Sequence, residues 1–272
     1  LVGFQTALDV ASFRDSMRYV VGHAELDEHS FRMNDRVVRV GHYPIGIDYP
    51  QIRESLAKVR ETSQVRRLRD NLAGRKLMVG VDRLDYSKGL AERFRAFEKY
   101  LSRSSSEEAG VVLMQIAQPS RSDVPEYQQI KDEIDFLAGK INARFSVYDR
   151  VPLRYMNRSF SRPNVIGFLS YAWIGLITPL RDGMNLVAKE FVAAQNEEDP
   201  GVLILSRLAG AADELGDGAL LVTPYDIDGV ADAIATGLAM PLEERKARWQ
   251  AMLDRVKGNT ITGWAQRYLE AL

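Results

Sequence analysis

The strongest constraint on the fold is an alternation of apolar runs and helical patterns that begins near residue 76. Residues 76–81 (KLMVGV), 111–117 and 173–178 are continuous apolar runs, and shorter runs follow at 202–205 and 219–222. Between these runs, apolar residues recur every three or four positions, which is the spacing of a helix face. Continuous apolar strands are typical of sheets buried on both faces, and strand–helix alternation is typical of parallel sheets. The sequence therefore predicts an α/β protein whose parallel sheet carries helices on both faces.

The composition excludes several classes of function. The chain has 36 Lys and Arg residues against 37 Asp and Glu residues, a formal charge of −1, so it carries no electrostatic footprint for nucleic acid or an anionic membrane. No apolar run reaches the roughly 18 residues that a membrane span needs, and we expect no signal peptide. The absence of Cys excludes disulfides and thiolate metal sites and is compatible with a reducing compartment. We therefore expect a cytoplasmic protein with neither nucleic acid nor membrane as a partner.

The first 75 residues have a different pattern. Residues 1–6 (LVGFQT) and 36–40 predict strands, with a helical stretch between them. Residues 49–74 predict a charged connecting helix. This helix carries a basic run, which is either a solvated helix face or a binding patch: Arg66, Arg67 and Arg69.

In an open α/β sheet, ligands bind outside the carboxyl ends of the strands, so the loops that follow the strands are the candidate sites. The first such loop, residues 82–89 (DRLDYSKG), places Arg83 and Lys88 ahead of a predicted helix start. Guanidinium, ammonium and helix N–H groups together suit a dianion. Alternatively, the two cations pair with Asp82 and Asp85, and the loop alone leaves both interpretations open.

The second loop is residues 179–190 (PLRDGMNLVAKE). We expect a sharp turn at Gly183, and a helix whose first turn is formed by residues 184–186 and whose free N–H groups point toward the strand ends. Asp182 could accept hydroxyl hydrogens, and Glu190 could accept them from a vicinal diol such as a ribose. In the alternative interpretation, Asp182 caps the helix and Glu190 faces solvent.

A third loop, residues 115–123 (QIAQPSRSD), places Arg121 at the same edge, although a single loop arginine is usually solvated. The chain has neither a GxGxxG motif after a strand nor a GxxxxGK[ST] motif, so the dinucleotide fingerprint and the P-loop are both absent. Strand-end cations without clustered carboxylates suggest that protein cations, rather than Mg²⁺, balance phosphate charge. The histidines lie outside these loops and lack the spacing of metal ligands: His23, His29 and His42.

Taken together, these loops closely resemble those of the trehalose-6-phosphate synthases, retaining glycosyltransferases of the two-domain GT-B type and of family 20. The resemblance covers nearly the whole chain and indicates the C-terminal, donor half of such an enzyme, with a Rossmann-like sheet. The matching segments are LVGFQT at 1–6, YPIGID at 43–48, VDRLDYSKGL at 81–90, QIAQPSRSDV at 115–124, TPLRDGMNLVAKEFVAAQ at 178–195 and LSRLAGAADEL at 205–215.

The resemblance implies a set of site residues. Arg83 and Lys88 would grip the diphosphate of UDP-glucose and, with Asp182, form the catalytic group. Arg121 would bind the sugar-phosphate acceptor. The resemblance implies neither a metal nor a cofactor. UDP-glucose would be the donor substrate. Ile116 and Phe160 would line the uracil pocket, and Glu190 would contact the ribose. The implied donor-binding residues are Ile116, Phe160, Gly183, Met184, Asn185, Leu186, Val187, Ala188, Lys189 and Glu190.

The activity implied is transfer of glucose from UDP-glucose to the anomeric hydroxyl of glucose 6-phosphate, with retention, to give trehalose 6-phosphate. One alternative is a glucosylglycerol-phosphate synthase or a related pseudo-glycosyltransferase that shares the donor half. Another alternative, of a different class, is a non-catalytic UDP-sugar-binding or regulatory module. These residues do not distinguish UDP from GDP or ADP as the nucleotide of the donor.

The resemblance also implies a domain organisation. Residues 1–47 would be a remnant of the N-terminal acceptor domain, 48–75 a connecting segment and 76–255 the nucleotide-sugar-binding domain. Residues 256–272 would be a C-terminal helix that crosses back to the N-terminal domain. Family members begin with a further Rossmann-like domain, so we expect this chain to need that domain for transfer. Unpaired strand edges in the remnant would favour a homo-oligomer.

Overall fold

The computed structural model describes residues 1–22, 25–59, 62–104, 110–120 and 124–272. Within these ranges the strands form two sheets, a four-stranded first sheet and a six-stranded second sheet. No helix in the described ranges has the length and apolar character needed to cross a bilayer.

The second sheet is parallel throughout and has the order β10–β9–β8–β5–β6–β7. Its central strands are the apolar runs expected from the sequence, which confirms the predicted α/β class. The edge strand β7 was not predicted, because only its first residue, Leu153, is fully buried and the rest lacks an apolar run. The strands are β5 (Lys76–Arg83), β6 (Val111–Gln118), β7 (Leu153–Met156), β8 (Ile174–Ile177), β9 (Val202–Ser206) and β10 (Leu220–Val222).

Helices cover both faces of the second sheet, because successive side chains of a strand point to opposite faces. Leu77 and Val79 pack on one face, and Met78 between them packs on the other. The first face is covered by α2 (Tyr49–Val59), α3 (Ser63–Leu72), α6 (Arg162–Ser170), α7 (Leu186–Ala194), the short helix α8 (Ala212–Leu215) and α10 (Leu242–Gly258). The second face is covered by α4 (Leu90–Arg103), α5 (Pro125–Phe145) and α9 (Ile227–Ala239).

Residues 49–74 form two helices, α2 and α3, rather than the single connecting helix that the sequence predicted. Both pack onto the second sheet, so they belong to its core layer. On α3, Val65 and Leu68 are buried, and Arg66, Arg67 and Arg69 all lie on the exposed face. This arrangement supports the interpretation of the basic run as a solvated helix face.

The first sheet has the order β1–β4–β3–β2, with β1 and β4 parallel and the other pairs antiparallel. The sequence predicted β1 and most of β4 but missed β2 and β3, whose residues are largely polar or exposed. A small core of Met17, Phe31 and Val40 lies beneath this sheet. The elements are β1 (Val2–Phe4), α1 (Ala7–Asp15) with a π-helical turn (Ser16–Val21), β2 (Glu25–Asp27), β3 (Ser30–Met33) and β4 (Arg36–His42).

The chain passes between the two sheets twice, and we name the two segments, residues 43–47 and 259–261, the crossover junction. Ile47 forms a parallel bridge with Thr260 there. Gly46 is required, because a Cβ atom at this position would lie 2.0 Å from the carbonyl oxygen of Asn259. Beyond the junction, α11 (Ile261–Ala271) returns to the first sheet, where the ring centroids of Tyr43 and Tyr268 lie 5.1 Å apart.

Candidate functional site

A cleft of about 580 Å³ opens at the carboxyl ends of β5 and β8, the edge where the sequence places its polar loops. Ligands of open α/β sheets bind at this edge. Nine of the predicted site residues line the cleft: Arg83, Lys88, Phe160, Asp182, Met184, Asn185, Leu186, Val187 and Glu190.

Local turn chemistry shapes the loop after β5. The Asp85 carboxylate accepts a hydrogen bond from the Ser87 N–H at 2.9 Å and so caps a short 3₁₀ turn (Tyr86–Lys88). Gly89 then adopts a left-handed backbone with φ 63° just before α4 begins. A Cβ atom on Gly89 would lie 2.6 Å from the carbonyl oxygen of Thr178, so glycine allows this loop to pack against the end of β8.

The two predicted cations of this loop have different surroundings. Lys88 Nζ donates to Asp182 Oδ2 at 2.8 Å, and both side chains are largely buried. Asp82 pairs with a different cation, and Asp85 accepts from Ser87, so the alternative of local pairing is wrong for Lys88. Arg83 is exposed and makes no ion pair within the described part of the chain. Arg83 is therefore the cation that remains available to an anionic ligand.

Beneath the cleft lies Arg93, which the sequence analysis missed. It is 1% exposed, and its Nε donates to Thr178 Oγ1 at 3.0 Å. Its Nη1 donates to the Asp82 carboxylate and, at 2.8 Å, to Gln115 Oε1, and its Nη2 donates to the Lys88 carbonyl at 3.3 Å. One guanidinium thus joins the ends of β5, β6 and β8 to the cation loop.

A signal for Arg93 exists in the sequence. It lies three residues after Leu90 and directly before Phe94, so it falls within the apolar stripe of α4. A charged residue at a core-facing position of a helix is rarely buried without a partner. Its partners, however, lie on other strands, and their identity follows only from the folded sheet.

The loop after β8 departs from the expected geometry. Helix α7 begins at Leu186, and its cap is Asn185, whose Oδ1 accepts from the Ala188 N–H at 3.1 Å. The left-handed backbone lies at Asn185, with φ 81°, and not at Gly183. The predictions of a first helical turn at 184–186 and of a capping Asp182 are therefore wrong, whereas the chain does bend at Gly183. Asparagine tolerates this conformation because its short polar side chain bonds to nearby backbone.

Asp182 is fixed from three directions. Its carboxylate accepts from Lys88 Nζ and, at 3.0 Å, from Asn185 Nδ2. Its backbone N–H donates to the Leu208 carbonyl at 3.1 Å, and its own carbonyl accepts from the Gly210 N–H at 3.0 Å. A Cβ atom on Gly210 would lie 2.1 Å from the Gly183 carbonyl oxygen. The motif at 205–215 thus forms the floor against which the 182–184 loop packs.

Glu190 faces the cleft rather than open solvent, so the solvent-facing alternative is wrong. Its side chain is 12% exposed and accepts hydrogen bonds from Arg162 Nη2 at 2.9 Å and Nε at 3.1 Å. Burial raises the pKa of Glu190, and the Arg162 guanidinium opposes that shift. The sequence did not reveal Arg162, because its pairing with Glu190 joins two different helices and leaves no local signal.

Several predicted residues lie elsewhere. Ile116 is fully buried in the core, and Ala188 and Lys189 are both fully buried as well, so none of the three reaches the cleft. Gly183 is exposed beside the cleft but does not line it. Arg121 lies outside the described residues.

The helical period explains why some residues of α7 line the cleft and others are buried in the core. Leu186 and Glu190 are four residues apart, so they share the face that lines the cleft. Ala188 lies halfway between them along the chain and points to the core. A run of consecutive motif residues therefore cannot all contact one ligand when the run is helical.

The cleft as a whole suits a ligand with three chemical parts. Arg83 and Lys88 offer positive charge for a dianion. Phe160 and Val187 add an apolar wall. Glu190 and Asp182 offer oxygen acceptors for hydroxyl groups. No group of three or more metal-ligating side chains occurs within the described ranges.

Comparison with known proteins agrees with this geometry. The family model described as glycosyltransferase family 20 matches residues 1–272. The chain is 46% identical to the trehalose-6-phosphate synthase of Sodalis glossinidius over 272 residues, which are 100% of this chain and 57% of that protein. The chain thus spans somewhat more than half the length of this relative.

Two solved structures are also similar. A UDP-forming trehalose-phosphate synthase from Burkholderia xenovorans, in complex with glucose-6-phosphate, matches with a TM-score of 0.95 and 42% identity over 99% of this chain and 60% of that one. An E. coli structure bound with UDP-2-fluoro glucose matches with a TM-score of 0.94 and 40% identity, over 99% of this chain and 59% of that one. With a family model that matches its whole length, the chain belongs to glycosyltransferase family 20.

Proposed function

We propose that this chain is the donor half of a retaining glycosyltransferase that transfers glucose from UDP-glucose to glucose 6-phosphate to form trehalose 6-phosphate. The observation that carries the proposal is the cleft that Arg83, Lys88 and Glu190 line together at the edge of the sheet. The ligands named for two of the similar structures, glucose-6-phosphate and UDP-2-fluoro glucose, support the same pair of substrates.

In the proposed reaction, the bond between C1 of glucose and the diphosphate oxygen breaks, and its electron pair leaves with that oxygen. A bond forms from C1 to the anomeric oxygen of glucose 6-phosphate, whose hydroxyl proton passes to the departing diphosphate. Negative charge accumulates on the departing UDP, and Arg83 and Lys88 stabilise it. This interaction is stronger in the transition state than in the bound substrate, which is the condition for accelerating the chemical step. We expect Arg83→Ala in the full-length enzyme to lower kcat, and a raised KM with unchanged kcat would contradict that role.

The remaining groups position the donor. Glu190 accepts hydroxyl hydrogens from the ribose, and Phe160 packs against the uracil. Asp182, Met184 and Asn185 hold the glucose through side chains and backbone. Asp182 is already oriented by Lys88 and Asn185, so its carboxylate needs little reorganisation when the sugar binds.

The acceptor site draws on Arg121 and on the part of the relatives' length that this chain does not span. Binding of the donor by this chain and transfer to the acceptor are therefore separate expectations. We expect donor binding without a metal, since Arg83 and Lys88 balance the phosphate charge, and transfer only when the complementary domain is present.

The test is calorimetric titration of the 272-residue chain with UDP, once with Mg²⁺ and once with a chelator. We expect binding with the same affinity in both. Absence of binding at millimolar UDP would overturn the proposal. Product analysis of the full-length enzyme with glucose 6-phosphate or glycerol 3-phosphate then separates trehalose 6-phosphate formation from glucosylglycerol-phosphate formation.

A further inference from the structure

Lys189 is a buried cation that the donor cleft does not use. It lies on α7 directly before Glu190, but its side chain is 1% exposed on the core side of the helix. Its Nζ donates to the carbonyl oxygen of Ile45 at 2.7 Å and also pairs with the Glu214 carboxylate. Burial lowers the pKa of Lys189, and Glu214 opposes that shift. Because burying an ammonium group is costly, such a residue needs its partners in place.

Both partners lead to the crossover junction. Ile45 belongs to the first segment of the junction. Glu214 accepts a second hydrogen bond, from Asn259 Nδ2 at 3.1 Å, and Asn259 opens the other segment. Asn259 Nδ2 also donates to the Pro44 carbonyl at 3.1 Å. A single ammonium group thus connects α7 to both segments through which the chain passes between its sheets.

Ile45 extends the connection to the first sheet. Its carbonyl accepts from Lys189, and its N–H donates to Gln5 Oε1 at 2.9 Å. Gln5 directly follows β1. The backbone of one residue is therefore bonded on one side to the first sheet and on the other side to the helix that lines the cleft.

We propose that Lys189 is a positioning residue that couples the crossover junction to the nucleotide site. This inference rests on the proposed function, since it assumes that Glu190 on α7 and Asn185 at its N-terminal cap contact the bound nucleotide sugar. Any change in the angle between the two sheets moves Ile45 and Asn259, and Lys189 transmits that movement to α7. Conversely, a nucleotide that fixes α7 also fixes the junction.

The test uses the 272-residue chain and the variant Lys189→Met, which fills a similar volume but cannot donate to Ile45 or Glu214. The matched control is Arg245→Met. Arg245 is also a buried cation, 5% exposed and 2.7 Å from Asp199, but it lies at the amino ends of β8 and β9, away from the junction. Both variants remove a buried cation that donates to one carboxylate and one backbone carbonyl, Glu214 and Ile45 for Lys189 and Asp199 and Pro200 for Arg245, so a general loss of stability affects both.

Two measurements are made on each protein: UDP affinity by calorimetry, and amide hydrogen exchange of peptides covering residues 43–47 and 259–264, with and without UDP. We expect Lys189→Met to weaken UDP binding by about tenfold or more, the loss of roughly one charge-assisted contact at the site. We expect faster exchange at the junction in this variant, and slower exchange there in the wild type when UDP is added. Arg245→Met should leave both UDP affinity and junction exchange close to those of the wild type.

Three outcomes overturn the inference. If Lys189→Met binds UDP as tightly as the wild type, the inference is overturned and the proposed function stands. The same holds if Arg245→Met loses as much UDP affinity as Lys189→Met does. Failure of the wild type itself to bind UDP overturns the proposed function and the inference together. If Lys189→Met does not fold, Glu214→Gln replaces it, because this change keeps the shape of the side chain, removes its charge and leaves it only one of the two oxygens that accept from Lys189 and Asn259. Smaller shifts in the same direction are then expected, and unchanged affinity and exchange would contradict the coupling.

Discussion

Lys88 Nζ lies 2.8 Å from Asp182 Oδ2, although 94 residues separate them in the chain. This contact joins the loop after β5 to the loop after β8 at the mouth of the cleft. It also makes the two predicted cations unequal, because Lys88 already has a carboxylate partner and Arg83 has none within the described ranges. We therefore expect the diphosphate of the proposed donor to meet Arg83 as its first unsatisfied cation.

Arg83→Ala should weaken UDP binding by about ten- to a hundredfold, because a hydrogen bond to a charged group contributes roughly 1.5–3 kcal/mol. Arg181→Ala is the matched control, since Arg181 is exposed on the neighbouring loop but does not line the cleft. Calorimetric titration with UDP measures both. Equal losses in the two variants would mean that only the general positive field matters.

Arg93→Met should destabilise the chain by about 3–5 kcal/mol, because it leaves the Asp82 carboxylate buried without its cation. Arg95→Met, two residues along the same helix, removes an ion pair with Glu133 in which both side chains are more than 40% exposed. Its cost should be at most about 1 kcal/mol. Urea denaturation of the two variants measures the difference. Similar free energies of unfolding would show that Arg93 is not needed to hold the strand ends together.

Gly89→Ala should destabilise the fold by roughly 2 kcal/mol or more, because a side chain at φ 63° is strained and its Cβ would press on the Thr178 carbonyl. Gly139→Ala is the control. Gly139 lies inside α5 with nothing within 4 Å of an added Cβ, so alanine there should stabilise the chain by about 0.5–1 kcal/mol. Thermal or urea unfolding should show shifts of opposite sign. A stabilising effect at position 89 would contradict the packing of this loop.

The pKa of Glu190 is raised by burial above its ordinary value of 4.5. The folded state therefore holds this proton more tightly than the unfolded state does. The resulting stabilisation is fully present below the unfolded pKa and is lost as the pH rises through the folded pKa. Relative to Glu190→Gln, which does not titrate, the wild type should lose free energy of unfolding as the pH is raised from about 4 to 7. A difference that stays constant or grows would rule out the raised pKa.

Binding of UDP-glucose should follow the opposite trend over the same range. If the ionised Glu190 accepts the ribose hydroxyls, the wild type should gain affinity as this carboxyl group loses its proton. The Glu190→Gln variant provides the baseline, because its side chain cannot ionise. Parallel affinity curves for the two proteins would count against Glu190 as the ribose acceptor.

The second sheet was predictable because the apolar residues of each central strand indicate that the strand is buried. Met78 and Val79 belong to a run that is apolar on both faces, and such a run has few alternatives to a central parallel strand. The strand β7 and the hairpin of β2 and β3 were missed, because polar residues interrupt these short segments and none of them contains an apolar run. The position of Gly89 near the start of α4 was also predicted correctly, because turn preferences depend on residues that are close together in the chain.

The sequence by itself determined the α/β class, the strand-end loops and the identity of the cations carried by the first of them. Only the tertiary structure decided which charges meet: Lys88 with Asp182, Arg162 with Glu190 and Lys189 with Glu214. The physical reason is the separation along the chain over which each kind of interaction acts. Apolar periodicity and turn preferences act over a few residues, whereas each of these ion pairs depends on a distance of about 3–4 Å or less between groups that lie far apart in the chain. Those distances are fixed only when both faces of the sheet are packed.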